Sequence, residues 1–406
     1  MFGFILKEKE YFSASKSPSM KNLLSIVLLL YCNCLVFCQT TTIEEYESEE
    51  LQDTRTLQIH VPTGYERDSL ANYPLTIVLD GDYLFDLYVG NAKLLEYTDR
   101  APKQIIVGIQ MANTRNKDAS IHNINSGLTA DSERFLFFIK DELVPYLEEN
   151  YKTSPFISIV GSGITANLIT HFLKDEYPLF NAYICLNPTF NPDINRQLQS
   201  YNLDKLKAID NTYYFYLNST EQIGSKKHAN ITVFNRFLQS LEIPNFNIRY
   251  DYLENSPNAV SAIGEAIPRA LSKVFELYAS ISKEEFKTKI KPLSPLDAIG
   301  YLENKYIEIE YLFGANIGIR ENDIFAIEQL IIDKENGDYL KVFGKMILKL
   351  YPKSPLGNYY LGLYYETGKK NRKALKQYRI GYGKMDPSDP NADRFYENVE
   401  RMLRKE

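Results

Sequence analysis

The sequence has no tryptophan and four histidines in 406 residues. Of its four cysteines, Cys32, Cys34 and Cys38 fall within the first 38 residues, leaving Cys185 for the rest of the chain. A single thiol makes neither an intrachain disulfide nor a thiolate zinc site, so neither device holds this fold. Lys and Arg total 46 against 52 Asp and Glu, a net charge of −6, which excludes a broad basic footprint for nucleic acid. One apolar run approaches spanning length, so a multi-span membrane protein is excluded as well. Hydrophobic residues at 44% and charged residues at 24% exclude wholesale disorder. The abundant feature is aromatic: 31 Tyr and 22 Phe, suited to cores and to the gaps between packed helices. At roughly 100–200 residues per domain, the length predicts two or three domains.

Lys21 precedes the run Leu23–Leu30 (LLSIVLLL), and apolar residues continue to Phe37 with a break at Asn33. A basic start, an apolar middle and a following cleavage region predict a secretory signal over residues 1–38, with Met20 as the initiator. The mature chain then starts near Gln39 and is exported to the periplasm or cell surface. A lipidated Cys38 and a retained anchor are the alternatives. Phe37 disfavours the first, since such sites want a small residue there, and the run is short for the second.

Residues 54–62 alternate apolar and polar, as a half-buried strand does. Leu75–Leu79, Gln104–Ile109, Phe156–Val160, Ala182–Leu186 and Tyr213–Leu217 are continuous β-branched or aromatic runs closed by turn residues. Such runs predict strands buried on both faces of a parallel sheet. Helix-period segments lie between them, at Ser132–Asn150, Asn167–Tyr177, Ile231–Leu241 and Ala262–Tyr278. The alternation predicts an α/β, doubly wound, mostly parallel sheet over residues 39–282. A Lys- and Pro-rich stretch, 283–296, reads as a linker. Residues 297–406 then read as all-helical. Within them, Pro355–Pro387 fits the tetratricopeptide repeat, with Leu361, Gly362, Tyr365, Ala374 and Tyr378 in register. The turn between its helices is predicted near Thr367–Asn371.

The chemistry-bearing segment is Ile157–Leu168 (ISIVGSGITANL), where an apolar strand runs through small residues into a helix. A nucleophile elbow, G-x-S-x-G, has this form, and its tight turn demands small residues two before and two after the nucleophile. With Ser162 as nucleophile the flanks are Val160 and Ile164, both bulky. With Gly163 there, the flanks are Gly161 and Thr165, which fit. That frame leaves no side chain at the nucleophile position.

Several stretches together give a specific resemblance. They are Tyr73–Phe85 (YPLTIVLDGDYLF), Ile105–Ser120 (IIVGIQMANTRNKDAS) with Arg115 and Asp118, Ser126–Tyr151, and Asn181–Pro188. Over about residues 50–280 the chain resembles the esterase-D-like α/β-hydrolases, a family that includes the siderophore trilactone esterases. The resemblance implies an α/β-hydrolase fold, with the oxyanion turn and pocket at Gly81, Asp82 and Ile164. It also marks a departure. The family reads G-H-S-x-G-G, whereas this chain has Ser162 at the family's His and Gly163 at its Ser. The catalytic His should follow the last strand, Phe246–Leu253, but residues 254–260 hold none and no His lies beyond His228. Triad chemistry in this fold needs Ser, acid and His in that order.

Glu221 is left as a candidate acid and His228 as a candidate substitute base. His60 is expected to be exposed and His171 to be a surface or satisfied residue. Asp80 and Asp82 lack a third ligand and read as turn residues, so no metal or cofactor is expected. The expected function is an exported esterase-family protein without an intact triad, a pseudoenzyme that binds an acyl- or ester-like ligand, or a protein partner through its helical C-terminus. The alternative is an active ester or thioester hydrolase with a relocated nucleophile.

Overall fold

Short β-branched and aromatic runs, each stopped by Asp, Asn or Gly, form an eight-stranded sheet in the computed structural model. The structure describes residues 41–67, 69–122, 127–315, 317–333, 337–386 and 388–405. The expected signal segment and its cysteines lie outside the described residues. The strands are β1 (Thr41–Ser48), β2 (Asp53–His60), β3 (Tyr73–Val78), β4 (Ile105–Ile109), β5 (Thr153–Ser162), β6 (Ala182–Leu186), β7 (Tyr213–Ser219) and β8 (Phe246–Tyr252). Their order is β1-β2-β4-β3-β5-β6-β7-β8. β2 runs antiparallel to β4, and every pairing from β4 to β8 is parallel.

The two-residue period of a strand divides the core between the faces of this sheet. On β5, Phe156 and Val160 point to one side, and Ile157 and Ile159 to the other. The first face is covered by α1 (Gly81–Tyr97) and α7 (Ala259–Val274). On the second face lie α2 (Ala130–Phe137), α3 (Val144–Asn150), α4 (Ile164–Ile169), α5 (Pro192–Gln199) and α6 (Ser225–Gln239). The helix expected over Ser132–Asn150 is interrupted by a π turn, Phe138–Leu143, just before Pro145. Proline has no N–H for the regular ladder, and the backbone widens there. His60, expected to be exposed, is 3% exposed, because it ends the strand that pairs with β4.

The stretch expected as a linker is helical instead. Ser282 and Glu285 form a reciprocal capping box, the turn continues through Phe286–Ile290, and Ile290 is fully buried. Composition misleads here because the lysines face outward while Phe286 and Ile290, four apart, face in. Beyond it come α8 (Pro295–Phe313), α9 (Glu321–Asp333), α10 (Asp338–Leu350), α11 (Leu356–Thr367), α12 (Asn371–Tyr382) and α13 (Ala392–Leu403). Phe313, at the end of α8, packs its ring 5.0 Å from Phe156 of β5 and 5.5 Å from Phe275. Arg320 binds Asp99, the Tyr278 carbonyl and the Tyr306 hydroxyl. The first face of the sheet therefore shares one continuous apolar core with the C-terminal helices.

In the α11–α12 hairpin, Glu366 accepts hydrogen bonds from Arg401, Tyr378 and Lys405. The Arg401 bonds, foremost, hold its carboxyl down at about 2. A carboxyl depressed in the folded state stabilises fully above its ordinary value and loses that contribution as pH falls through the folded one. The C-terminal helices should therefore lose stability between about pH 4.5 and pH 2. Melting curves across that window should show the loss, and Glu366→Gln should flatten it.

Candidate active site

Adjacent parallel strands bring two turns together at the carboxyl edge of the sheet. β3 and β5 pair with Val78 opposite Val160, so Asp80 and Gly163 emerge side by side. Chain order reverses across β3, with β4 on one side and β5 on the other. Open α/β sheets place their ligand sites at such a switch point.

β5 ends at Ser162, and α4 starts at Ile164, with Gly163 between them at φ 62°, ψ −114°. A positive φ is unstrained for glycine and strained for other residues. A Cβ on Gly161 would lie 2.7 Å from the carbonyl carbon and oxygen of Thr165, so the position before the turn admits no side chain. Thr165 ties the elbow down. Its hydroxyl accepts from the Ser162 N–H at 2.8 Å and donates to Asp80 Oδ2 at 2.6 Å.

Arg115 occupies the space in front of the elbow. Its Nε donates to Asp80 Oδ1 at 2.5 Å and its Nη2 to the Ser162 carbonyl at 2.7 Å. Asp80 is buried and in the left-handed conformation, φ 56°, at the start of α1. A Cβ built on Gly163 would meet Arg115 Nη2 at 3.5 Å and the Thr189 methyl at 3.8 Å. Both are ordinary contact distances, so the guanidinium borders the place where a nucleophile's side chain would start. Tyr83 has a half-exposed ring, but its hydroxyl end turns in against Asp80 and Ser162. Burial, and then the Asp80 charge, raise its pKa. Arg115 and Asp118 of the Ile105–Ser120 stretch part company here, for Asp118 pairs with buried Arg55 at 2.9 Å.

The expected oxyanion residues have other duties. Asp82 accepts the Met111 N–H at 2.6 Å, which fastens α1 to the segment after β4. Gly81 is required by packing, since a Cβ there would lie 2.9 Å from the Ile109 carbonyl oxygen. Ile164 opens α4 directly after the elbow.

The expected acid and base are not brought to Gly163. His228 lies on α6, with Nδ1 2.9 Å from the Ser219 hydroxyl and its ring 4.7 Å from that of Tyr252. Ser219 ends β7, two strands across from β5, a lateral separation of about 10 Å. Glu221 is exposed beside the Tyr252 hydroxyl. His171 is buried, its Nδ1 3.1 Å from the Tyr201 hydroxyl, and burial lowers its pKa to about 4. The loop after β8 is held without histidine: Ser256 donates to Glu265 at 2.8 Å, and Asn258 caps α7. Among the described residues no group of three or more His, Cys, Asp or Glu is placed to hold a metal.

Sequence reasoning missed the Arg115–Asp80 pair and the reciprocal Asn187–Asn218 amide pair at the ends of β6 and β7. Asn187 at φ 43° was the available signal, since asparagine tolerates the left-handed region.

Residues 48–194 match the family model described as Putative esterase. No curated protein matches the chain. A solved structure of an uncharacterised protein from Capnocytophaga ochracea is 24% identical, with TM-score 0.75, over 90% of this chain and 99% of that one. An IroE-like serine hydrolase from Shewanella oneidensis is 18% identical, with TM-score 0.54, over 84% of this chain and 98% of its own. The BES protein from Bacillus cereus is 16% identical, with TM-score 0.51, over 59% of this chain and 96% of its own. All are likenesses of fold, and the first two extend past the sheet domain into the C-terminal helices. The sheet topology and the elbow show an α/β-hydrolase-like fold, and its residues 48–194 are similar to the Putative esterase family.

Proposed function

We propose that this chain is an exported member of the esterase group that has lost hydrolytic catalysis and works by binding. The observation that carries the reading is the elbow: Gly163, with no side chain and φ 62°, holds the nucleophile's place. Nucleophilic acyl transfer needs a hydroxyl or thiol within hydrogen-bond reach of a base. His228 does reach a hydroxyl, that of Ser219, but Ser219 is fully buried, also bonded to the Tyr250 hydroxyl, and lies at the end of β7, two strands from the elbow. Export rests on the Lys21-to-Phe37 pattern, and no described helix is long and apolar enough to cross a membrane. The α11–α12 hairpin is assigned as a tetratricopeptide-like unit serving a protein partner.

Turnover of short-chain aryl esters and thioesters tests the reading. A pocket without a triad retains at most about 10³–10⁴-fold over water, whereas working enzymes exceed roughly 10⁶-fold. The expected result lies in the lower range and is unchanged by Ser162→Ala or His228→Ala. Turnover in the upper range, abolished by either substitution, would establish a relocated nucleophile.

A further inference from the structure

We propose that the outer face of α1 is a self-association surface, on which a second copy of this chain lays its own α1 antiparallel about a two-fold axis at Gly90. A helix on a sheet normally buries one apolar stripe and turns polar residues outward. α1 buries Leu84, Phe85, Tyr88, Val89, Ala92 and Leu95 against the sheet and α7. Yet Leu87, Leu94 and Tyr97 are 37%, 57% and 90% exposed, and the ring of Tyr83, whose hydroxyl end is held at Asp80 and Ser162, is 51% exposed. With Gly90 they recur at spacings of four, three, four and three, a second apolar stripe along the opposite side.

Gly90 is unexplained within the chain. Glycine in a helix interior is less favourable than alanine, and a Cβ there would meet nothing within 4 Å. A bare backbone at the middle of an exposed stripe suits close approach of another backbone.

The stripe is also its own complement. In a two-fold contact residue i meets j while j meets i. With the axis at Gly90, antiparallel helices set Tyr83 opposite Tyr97 and Leu87 opposite Leu94 of the other copy. Asp86 and Lys93, seven apart, lie on the same flank of the stripe, and no ion pair joins them within the chain. The same axis brings each Asp86 to the other copy's Lys93. Parallel pairing would instead carry this flank to opposite sides of the seam in the two copies, so that Asp86 and Lys93 would not meet. Antiparallel helices also align their dipoles favourably. One helix pair is a small contact, below about 1,200 Å² in total, so the dimer should be weak and concentration-dependent.

Sedimentation equilibrium of the purified chain across roughly 1–200 µM should show monomer passing to dimer. Leu94→Glu, at an exposed position, should leave monomer throughout. Asp86→Lys or Lys93→Asp alone should weaken association by about tenfold or more, and the double swap should restore it. Gly90→Cys should give a disulfide-linked dimer on mild oxidation, since the two-fold axis brings the two thiols together. A monomer at every concentration, or a dimer indifferent to these changes, would overturn the proposal. So would a double swap no better than its singles. Monomeric protein that binds lipid vesicles, with binding lost in Leu94→Glu, would assign the stripe to a membrane surface and overturn it too.

Discussion

Replacing Arg115 with alanine is expected to destabilise the protein by about 1–3 kcal/mol, because it strands a buried carboxylate whose partner is itself 30% exposed. Asp80 is 1% exposed and is charge-paired with Arg115, while Thr165 supplies a neutral donor to the same carboxylate. Removing the guanidinium leaves Asp80 with neutral donors, the Thr165 and Tyr83 hydroxyls. It also takes from the Ser162 carbonyl its charged donor, leaving the Thr165 hydroxyl at 2.9 Å. Denaturant unfolding of wild type and variant measures the loss. The charge argument is separated from simple packing by Asp80→Asn with Arg115→Met. Removing both charges should recover much of the stability lost in Arg115→Ala, because a neutral pair leaves no stranded ion. Equal destabilisation in the single and the double variant would show that the pair is not the elbow's support.

Gly362→Leu is expected to destabilise the C-terminal hairpin by about 1–3 kcal/mol. A Cβ on Gly362 would sit 2.3 Å from Tyr378 Cε1, far inside contact distance. Tyr378 has nowhere to retreat: its ring is fully buried and its hydroxyl is fixed to Glu366 at 2.9 Å. Relief therefore requires α11 and α12 to move apart, which opens the cluster of Ala374, Leu375, Val399 and Met402. Even Gly362→Ala should register. Thermal unfolding followed by circular dichroism checks both, and an unchanged midpoint for the leucine variant would contradict the packing described.

The parallel strands were legible because continuous apolar runs closed by turn residues have few other uses in a chain this polar. β1 was not, since its TTIEEYES sequence sits at the sheet edge and carries no apolar alternation. The elbow was readable from sterics: Gly161 and Thr165 fit the small-flank requirement, and Gly163 has the positive φ that such a turn needs. Its occupant was not readable. Asp80 and Arg115 are 35 positions apart, and a pairing across adjacent strand ends leaves no local pattern in sequence. The contacts of the residues expected at the oxyanion turn were unreadable for a related reason. Gly81 and Asp82 stand at the right turn, but contacts with Ile109 and Met111, set by β4, determine what they do. The linker failed because Lys and Pro content says nothing about which side of a helical turn faces a core.

The central claim is that no activated nucleophile stands at the switch point of this sheet. Reaction with a fluorophosphonate tests it without assuming a substrate, because an activated serine hydroxyl attacks the phosphorus, fluoride leaves and a stable phosphonyl ester remains on the serine. The protein, incubated with excess reagent and read by intact mass, should remain unmodified under conditions that label a working serine hydrolase to completion. A stoichiometric adduct mapping to Ser162, and lost in Ser162→Ala, would contradict the account.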